Sequence, residues 1–408
     1  MRCAGAMRPS TEPLLARLLG ALERELPLAV ELRARLHAQP ELAHAETRTG
    51  AAVAEQLPVS AERAAGTGLI ARVGPSHGLA LAVRAELDGL PVSERTNAPY
   101  RAGGCVMHAC GHDVHMAALV AVARAAHSLV DELPAALLAV FQPSEEAYPS
   151  GAEQLARGEL AALAPAAVLA AHIHPELPWG SVALDPGAVN ASCDAVDITV
   201  VGEPTHGAYP HRGRDPILAI ASIVVALHAQ ASRRIDPLAP SVLTVGVLEG
   251  GTAENVIPAG ARARAALRAQ RPQDRAALRA MVEEVAQGVA SAHGCRAEVE
   301  LTEGEPALEN DAEIVRRARE LLPRAGLRTA AEWRSCGSDD FAFFGALAPL
   351  AIAFVGLDGA EGFRTRPLHH PELLPPEDAV GAVARVQAVL YVAAAQALGA
   401  APGPAGAG

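Results

Sequence analysis

Cys110 and His112 stand two residues apart in Met107-His108-Ala109-Cys110-Gly111-His112-Asp113, and Glu145-Glu146 follows downstream. A thiolate and a neutral imidazole are good ligands for a zinc-like ion, and Gly111 lets the backbone turn tightly between them. Two adjacent carboxylates repel each other, and burial raises that cost. A cation beside them removes it, so that one can anchor a metal while the other moves a proton. Two further histidines, His172 and His369, open short turns that contain Pro175 and Pro371. Together these residues describe a metal-dependent hydrolase.

Each piece also has an ordinary reading. Cys110 and His112 can be a buried thiol beside a helix-entry imidazole, and Glu145-Glu146 a solvated acidic loop. The place of the two glutamates, just past Val140-Phe141-Gln142-Pro143, favours the site. His174 and His370 neighbour His172 and His369, which leaves the ligand within each pair open. Asp88 either orients a ligating imidazole, as metal-bound histidines usually require, or caps a turn before Gly89. His206 and His211 lie in Gly202–His211, and Asn255 precedes Val256-Ile257-Pro258. His206 is placed to donate to a tetrahedral oxyanion; loop solvation is the other reading, above all for His211. Ser338, in Gly337-Ser338-Asp339-Asp340-Phe341, belongs to a cleft wall or to a helix cap.

Positioning such groups takes a sheet. Leu79–Ala85, Ala135–Phe141 and Ala166–Ala171 are short apolar runs that suit buried strands. Asp113–Leu129 reads as a helix entered directly from the Cys110–His112 motif. Residues 12–37 read as two helices broken near Pro27. Alternating strands and helices predict an open mixed α/β sheet, which places its site at the carboxyl ends of its strands. Glu145-Glu146 and His172 fall at such ends. From about Cys193 the pattern changes. Strands are expected over 196–200, 241–247, 262–269 and 296–301, with helices over 217–233 and 272–293. That order is the split βαβ, ferredoxin-like arrangement. The expected division is a catalytic α/β domain over 1–189 and 304–398, an inserted domain over 190–303, and a disordered Ala/Gly/Pro tail over 399–408.

The chain has 408 residues and a formal net charge of −12, and its basic residues form no run. Nucleic acid and anionic membrane surfaces are therefore not expected partners. No charge-free apolar stretch of ~20 residues and no signal-peptide core stand out, so a cytoplasmic location is expected. Six scattered cysteines argue against a disulfide framework. Aromatic residues make up only 3% of the chain, so the core must be built from Ala, Val, Leu and Ile.

The motifs, in order, resemble the zinc-dependent aminoacylase and carboxypeptidase family of metallopeptidases. The resemblance is to its amidohydrolase branch, which includes hippurate hydrolases, N-acyl-amino-acid amidohydrolases and auxin-conjugate hydrolases. It runs through Leu36–Leu42, Arg84–Pro91, Met107–Asp113, Phe141–Glu146, His172–Pro175, His206–His211, Glu254–Pro258, Gly337–Phe341 and Leu368–Pro371. It implies a two-metal site (Zn, or Mn or Co) with Cys110, His112, Glu146, His172 and His369 as ligands. It implies Glu145 as general base and acid. It implies His206, and Asn255 with it, as groups supplied by the inserted lid of this or a neighbouring subunit, and a homodimer or higher homo-oligomer. The substrate class it implies is small N-acyl or N-aroyl amino acids, cleaved at the amide bond. A dipeptidase on the same scaffold and a non-catalytic metal-binding sensor are the competing readings. The chain departs from the family at Glu86, where Asp is frequent, at Val114, and at Tyr148-Pro149-Ser150.

Overall fold

A computed structural model describes residues 12–399. Of the tail expected over 399–408 only Gly399 is described; its remainder and residues 1–11 lie outside the described residues. The chain forms two compact units. The first takes the chain up to Gly187 together with Glu309–Trp333 and the stretch from Phe343 onward; the second takes Ala188–Leu308 and Arg334–Ala342.

The first unit is built on an eight-stranded mixed sheet. Its order is Ala61–Ala64, Gly68–Val73, Ala136–Gln142, Ala80–Glu86, Ala167–Pro178, Leu350–Asp358, Ser181–Ala183, Arg328–Thr329. The four central strands, from Ala136–Gln142 to Leu350–Asp358, run parallel. Ala80–Glu86 and Ala136–Gln142 are buried at every position, which is why they read as unbroken apolar runs. Helices Glu12–Ala38, His112–His127 and Asp378–Ala397 pack on one another. One continuous core, mostly Ala, Val, Leu and Ile with Met116, Phe141 and Tyr391, joins them to the sheet.

Two expectations are corrected here. Glu12–Ala38 is a single helix with Pro27 inside it. Proline in a helix interior costs ~3 kcal/mol, whereas burying each large aliphatic side chain returns ~1.5–3 kcal/mol. Leu14, Leu15, Leu18, Leu22, Leu32 and Leu36 are all buried, so packing outweighs the proline. Pro27 and Glu23 lie on the exposed face, where water can satisfy the Glu23 carbonyl that lacks its usual donor. The strand expected to end before His172 instead continues to Pro178. Its pairing with Leu350–Asp358 carries it past His172, which lies opposite Phe354.

The second unit has a four-stranded antiparallel sheet in the order Ser241–Gly250, Gly260–Ala269, Ser192–Val201, Arg296–Glu303. Helices Pro216–Arg234 and Pro272–Ala292 cover it around a separate core. Its strands alternate buried and exposed positions, the signature of a sheet with one wet face.

Among the described residues, two helices are long and apolar enough to cross a membrane, Pro216–Arg234 and Asp378–Ala397. The second is a core helix, with 89% of its most apolar window buried. The first lies on the second unit's sheet and leaves Leu218 and Val225 exposed.

Candidate metal centre

The centre lies beyond the carboxyl ends of the parallel strands, where such sheets place their sites. Asp88 follows Ala80–Glu86, and Glu145 and Glu146 follow Ala136–Gln142. Gly111 caps the helix that starts at His112 with a left-handed φ of 83°. A Cβ there would come within 2.3 Å of Ile173 Cδ1, so only glycine fits both the turn and the contact. Ser144, immediately before Glu145, and His369 also hold positive φ, at 51° and 67°. For residues with a side chain that conformation is uncommon, and it clusters at functional sites. The Ser144 turn is braced from below: its N–H donates to Glu46 Oε1 at 2.7 Å, and its hydroxyl accepts from the His44 N–H at 2.9 Å.

Three overlapping sets of donor atoms result. Cys110, His112 and His172, all buried, each offer one atom within 4.8 Å of the others. So do Cys110, Glu146 and His369, and so do His112, Glu145 and Glu146. Tetrahedral ligand atoms ~2.0–2.3 Å from one zinc-like ion lie about 3.5 Å apart, the separation of Cys110 Sγ and His172 Nε2, so the spacing suits metal. The tautomers suit it too. His112 Nδ1 donates to the Asp88 carbonyl at 2.9 Å, and His172 Nδ1 donates to the Ile173 carbonyl at 2.7 Å. Each ring thereby turns Nε2 toward the centre, and His172 Nε2 lies 3.5 Å from Cys110 Sγ. Among the described residues, the buried His112 Nε2 and Glu146 Oε1 make no hydrogen bond. They stand only at ion-pair distance from Glu145 (3.8 Å) and His369 (3.3 Å). Buried polar atoms left in this way are costly unless something binds them, and a divalent cation fits these donors.

The histidine pairs differ in the same sense. His174 Nδ1 accepts from the Glu176 N–H at 3.4 Å and His370 Nδ1 from the Glu372 N–H at 3.1 Å. His172 and His369 are the members that face Cys110.

Charge reinforces the geometry. Burial works to lower the His112 pKa, but Asp88, Glu86 and Glu146 outweigh it and raise it to about 10. A field that holds a proton there favours any cation. Burial, helped by the neighbouring His115, pushes His172 well below its ordinary value, which leaves it a neutral ligand. Asp88 ties the two sides together: its Oδ2 accepts from the Glu146 N–H at 2.8 Å. Burial raises its pKa, yet contact with His112 and the Glu146 N–H keeps it below the usual carboxylate range.

The remaining expected residues lie in the second unit. His206 and Asn255 are brought together on a two-stranded ribbon, Thr205–His206 against Val256–Ile257. The Gly207 N–H donates to the Asn255 carbonyl at 2.6 Å. His206, His211 and Asn255 are exposed. The Ser338 hydroxyl lies 3.4 Å from Arg268 Nη1, which also donates to the Cys336 carbonyl at 3.1 Å.

Sequence reasoning missed two buried networks in the first unit. Asp113 Oδ2 accepts from Arg33 Nε and His37 Nδ1, both at 3.0 Å, and His37 Nε2 reaches Glu94 Oε1 at 3.1 Å. Burial alone would lower the His37 pKa; Asp113 and Glu94 instead raise it to about 9. The second network joins Arg84, Glu86 and His115. His115 stands three residues after His112 on one helix, a spacing that puts both on one face and was the available signal.

Comparison with known proteins agrees with this geometry. The family model described as peptidase family M20/M25/M40 matches residues 82–391. An N-acetyl-L-cysteine deacetylase of Bacillus subtilis is 33% identical over 368 residues, spanning 89% of this chain and 86% of its own length. An N-acetyldiaminopimelate deacetylase of Bacillus pumilus is 31% identical over 371 residues, spanning 89% and 96%. The solved structure of a dinuclear metal-binding M20 peptidase from Bacillus subtilis superposes with a TM-score of 0.80 at 28% identity, over 91% of this chain and 98% of that one.

Proposed function

The chain belongs to peptidase family M20/M25/M40, and from that premise we propose that it is a metal-dependent amidohydrolase of N-acyl amino acids. It would release a carboxylic acid and an amino acid. The observation that carries this reading is the pair of three-donor sets that share the thiol of Cys110, with Glu145 beside them.

In this reading Cys110, His112 and His172 would hold one divalent ion, and Cys110, Glu146 and His369 would hold a second. Zinc, manganese and cobalt all suit such mixed donors. When bound, such ions would supply Lewis acidity to the amide carbonyl and to the attacking water. Glu145 accepts the proton from that water and passes it to the departing amine. Asp88 holds the His112 ring and the Glu146 backbone in place. His206, with Asn255, supplies hydrogen bonds to the developing oxyanion. His211 and Ser338 bind substrate.

Small acyl groups, acetyl above all, are favoured over benzoyl. The two curated relatives described above are named as deacetylases, and few aromatic residues are available to stack on an aroyl ring. Self-association has support in the second unit. Leu218 and Val225 are 56% and 71% exposed on an apolar helix, and Ser241–Gly250 is an edge strand. Such surfaces are normally covered, and we propose a second copy of the chain as the cover.

A panel of N-acetyl amino acids, hippurate and dipeptides tests the reading, with chelated protein and protein reloaded with zinc, manganese or cobalt. Metal-restored cleavage of N-acetyl amino acids is expected. Preferential cleavage of dipeptides would move the assignment to a dipeptidase. Bound metal with no turnover on any substrate would contradict catalysis.

A further inference from the structure

The strand Ala167–Pro178 loses a neighbour just before it delivers His172. Its pairing with Ala80–Glu86 stops at Ala170 opposite Arg84. Beyond that point the Ile173 N–H has no partner in that strand, and a buried N–H without one is costly. His115 takes the vacant place: its Nε2 accepts from the Ile173 N–H at 3.0 Å. It can do so because its Nδ1 donates to Glu86 Oε2 at 2.8 Å, which fixes the tautomer. Glu86 is held in turn by Arg84, whose Nε donates to Gln142 Oε1 at 2.8 Å. Arg84, Glu86 and His115 are all buried.

The consequence reaches the metal centre through one residue, Ile173. The Ile173 carbonyl accepts from His172 Nδ1 at 2.7 Å, while the Ile173 side chain fills the space over Gly111. The Glu86–His115 pair therefore fixes the backbone that fixes the His172 ring. Glu86, His115 and His172 also lie close enough to be a metal group themselves. That role does not suit them: both His115 nitrogens and both Glu86 oxygens are already engaged within the protein.

We infer that His115 is a positioning residue, which, held by Glu86, aims His172 at the centre and thereby sets how tightly the Cys110–His112–His172 group holds its ion. This rests on the metal-centre reading above. Partners of this kind typically change metal affinity by about 10–100-fold.

The test is metal affinity, measured by chelator competition on the full chain with zinc alone and without any substrate. His115→Gln extends an acceptor to the Nε2 position and keeps the bond to Ile173. His115→Asn keeps the donor to Glu86 but gives up that bond. Wild type is expected to hold two ions. The Asn variant should hold one of them about 10–100-fold more weakly, with the Gln variant close to wild type. Glu86→Gln, which keeps the size of the side chain, guards against a folding failure in the Asn variant and should weaken the same ion. Unchanged affinities in the Asn and Glu86→Gln variants would overturn the inference and leave the metal-centre reading standing. So would equal weakening by Asn and Gln. A wild type that binds no zinc would overturn the metal-centre reading itself, and this inference with it.

Discussion

In the first unit, His112, His172, Asp88 and Cys110 sit among side chains with almost no exposed surface; in the second, His206, His211 and Asn255 stand on an exposed ribbon and turn. The buried groups each have a partner that sets their tautomer or charge, such as the Asp88 carbonyl for His112 and the Ile173 carbonyl for His172. The exposed groups are held by near neighbours in sequence: His206 Nδ1 accepts from the Ala208 N–H at 3.1 Å. The difference teaches where each cost falls. Buried ionisable groups must be satisfied for the unit to fold, so changing them disturbs stability, metal and turnover together. Exposed groups cost nothing to fold, so changing them should touch turnover alone.

Glu145→Gln is the exception within the first unit, because Glu145 is only half-buried and its carboxylate is not needed to hold the unit together. It removes a proton carrier at the mouth of the centre without altering size. Turnover should fall by about 10²–10⁴-fold, while metal content measured by emission spectroscopy stays at the wild-type value. His206→Ala, from the exposed side, should lower kcat by about 10²–10³-fold and leave the melting temperature unchanged. A drop in melting temperature matching that of a buried-site variant would erase the contrast between the units.

His37 carries the contrast into stability. Its folded pKa of about 9 stands above the ordinary 6.5 or so. Its stabilising contribution is therefore complete below pH ~6.5 and is lost as pH rises through about 9. The full contribution is on the order of 3 kcal/mol. Wild-type melting temperature should fall between those pH values, and His37→Gln should be less stable at low pH and nearly flat across the range. Parallel curves for the two proteins would show that His37 does not carry this charge. The smallest effect belongs to the second unit's surface. Arg234 and Glu284 form an exposed pair, and such pairs contribute little. Glu284→Gln should leave the melting curve unchanged at every pH.

Much of this was legible in the sequence because periodicity reports burial. The apolar run over 135–141 became Ala136–Gln142, and the alternating stretch over 262–269 became Gly260–Ala269. The α/β sheet followed from the alternation of strands and helices; the gathering of Cys110, His112, Glu146, His172 and His369 was expected only through the family resemblance, since the residues alone left the choice within each histidine pair open. Pro27 misled because proline's local cost is visible in sequence, whereas the Leu side chains that offset it act through tertiary packing. His172 was placed past its strand because the partner that extends the strand, Leu350–Asp358, lies far along the chain. Arg33, His37 and Glu94 were invisible as a network: their meeting with Asp113 spans 80, 76 and, for His37 with Glu94, 57 residues of sequence. Nothing local in the chain marks such contacts.

The most direct test is to measure zinc content and hydrolysis of N-acetyl amino acids on the same samples of wild type, Cys110→Ala and Glu145→Gln. Two ions and turnover are expected in wild type, loss of both in Cys110→Ala, and two ions without turnover in Glu145→Gln. Undiminished turnover in Glu145→Gln, or full metal content in Cys110→Ala, would contradict a centre built on the shared thiol with Glu145 as its proton carrier.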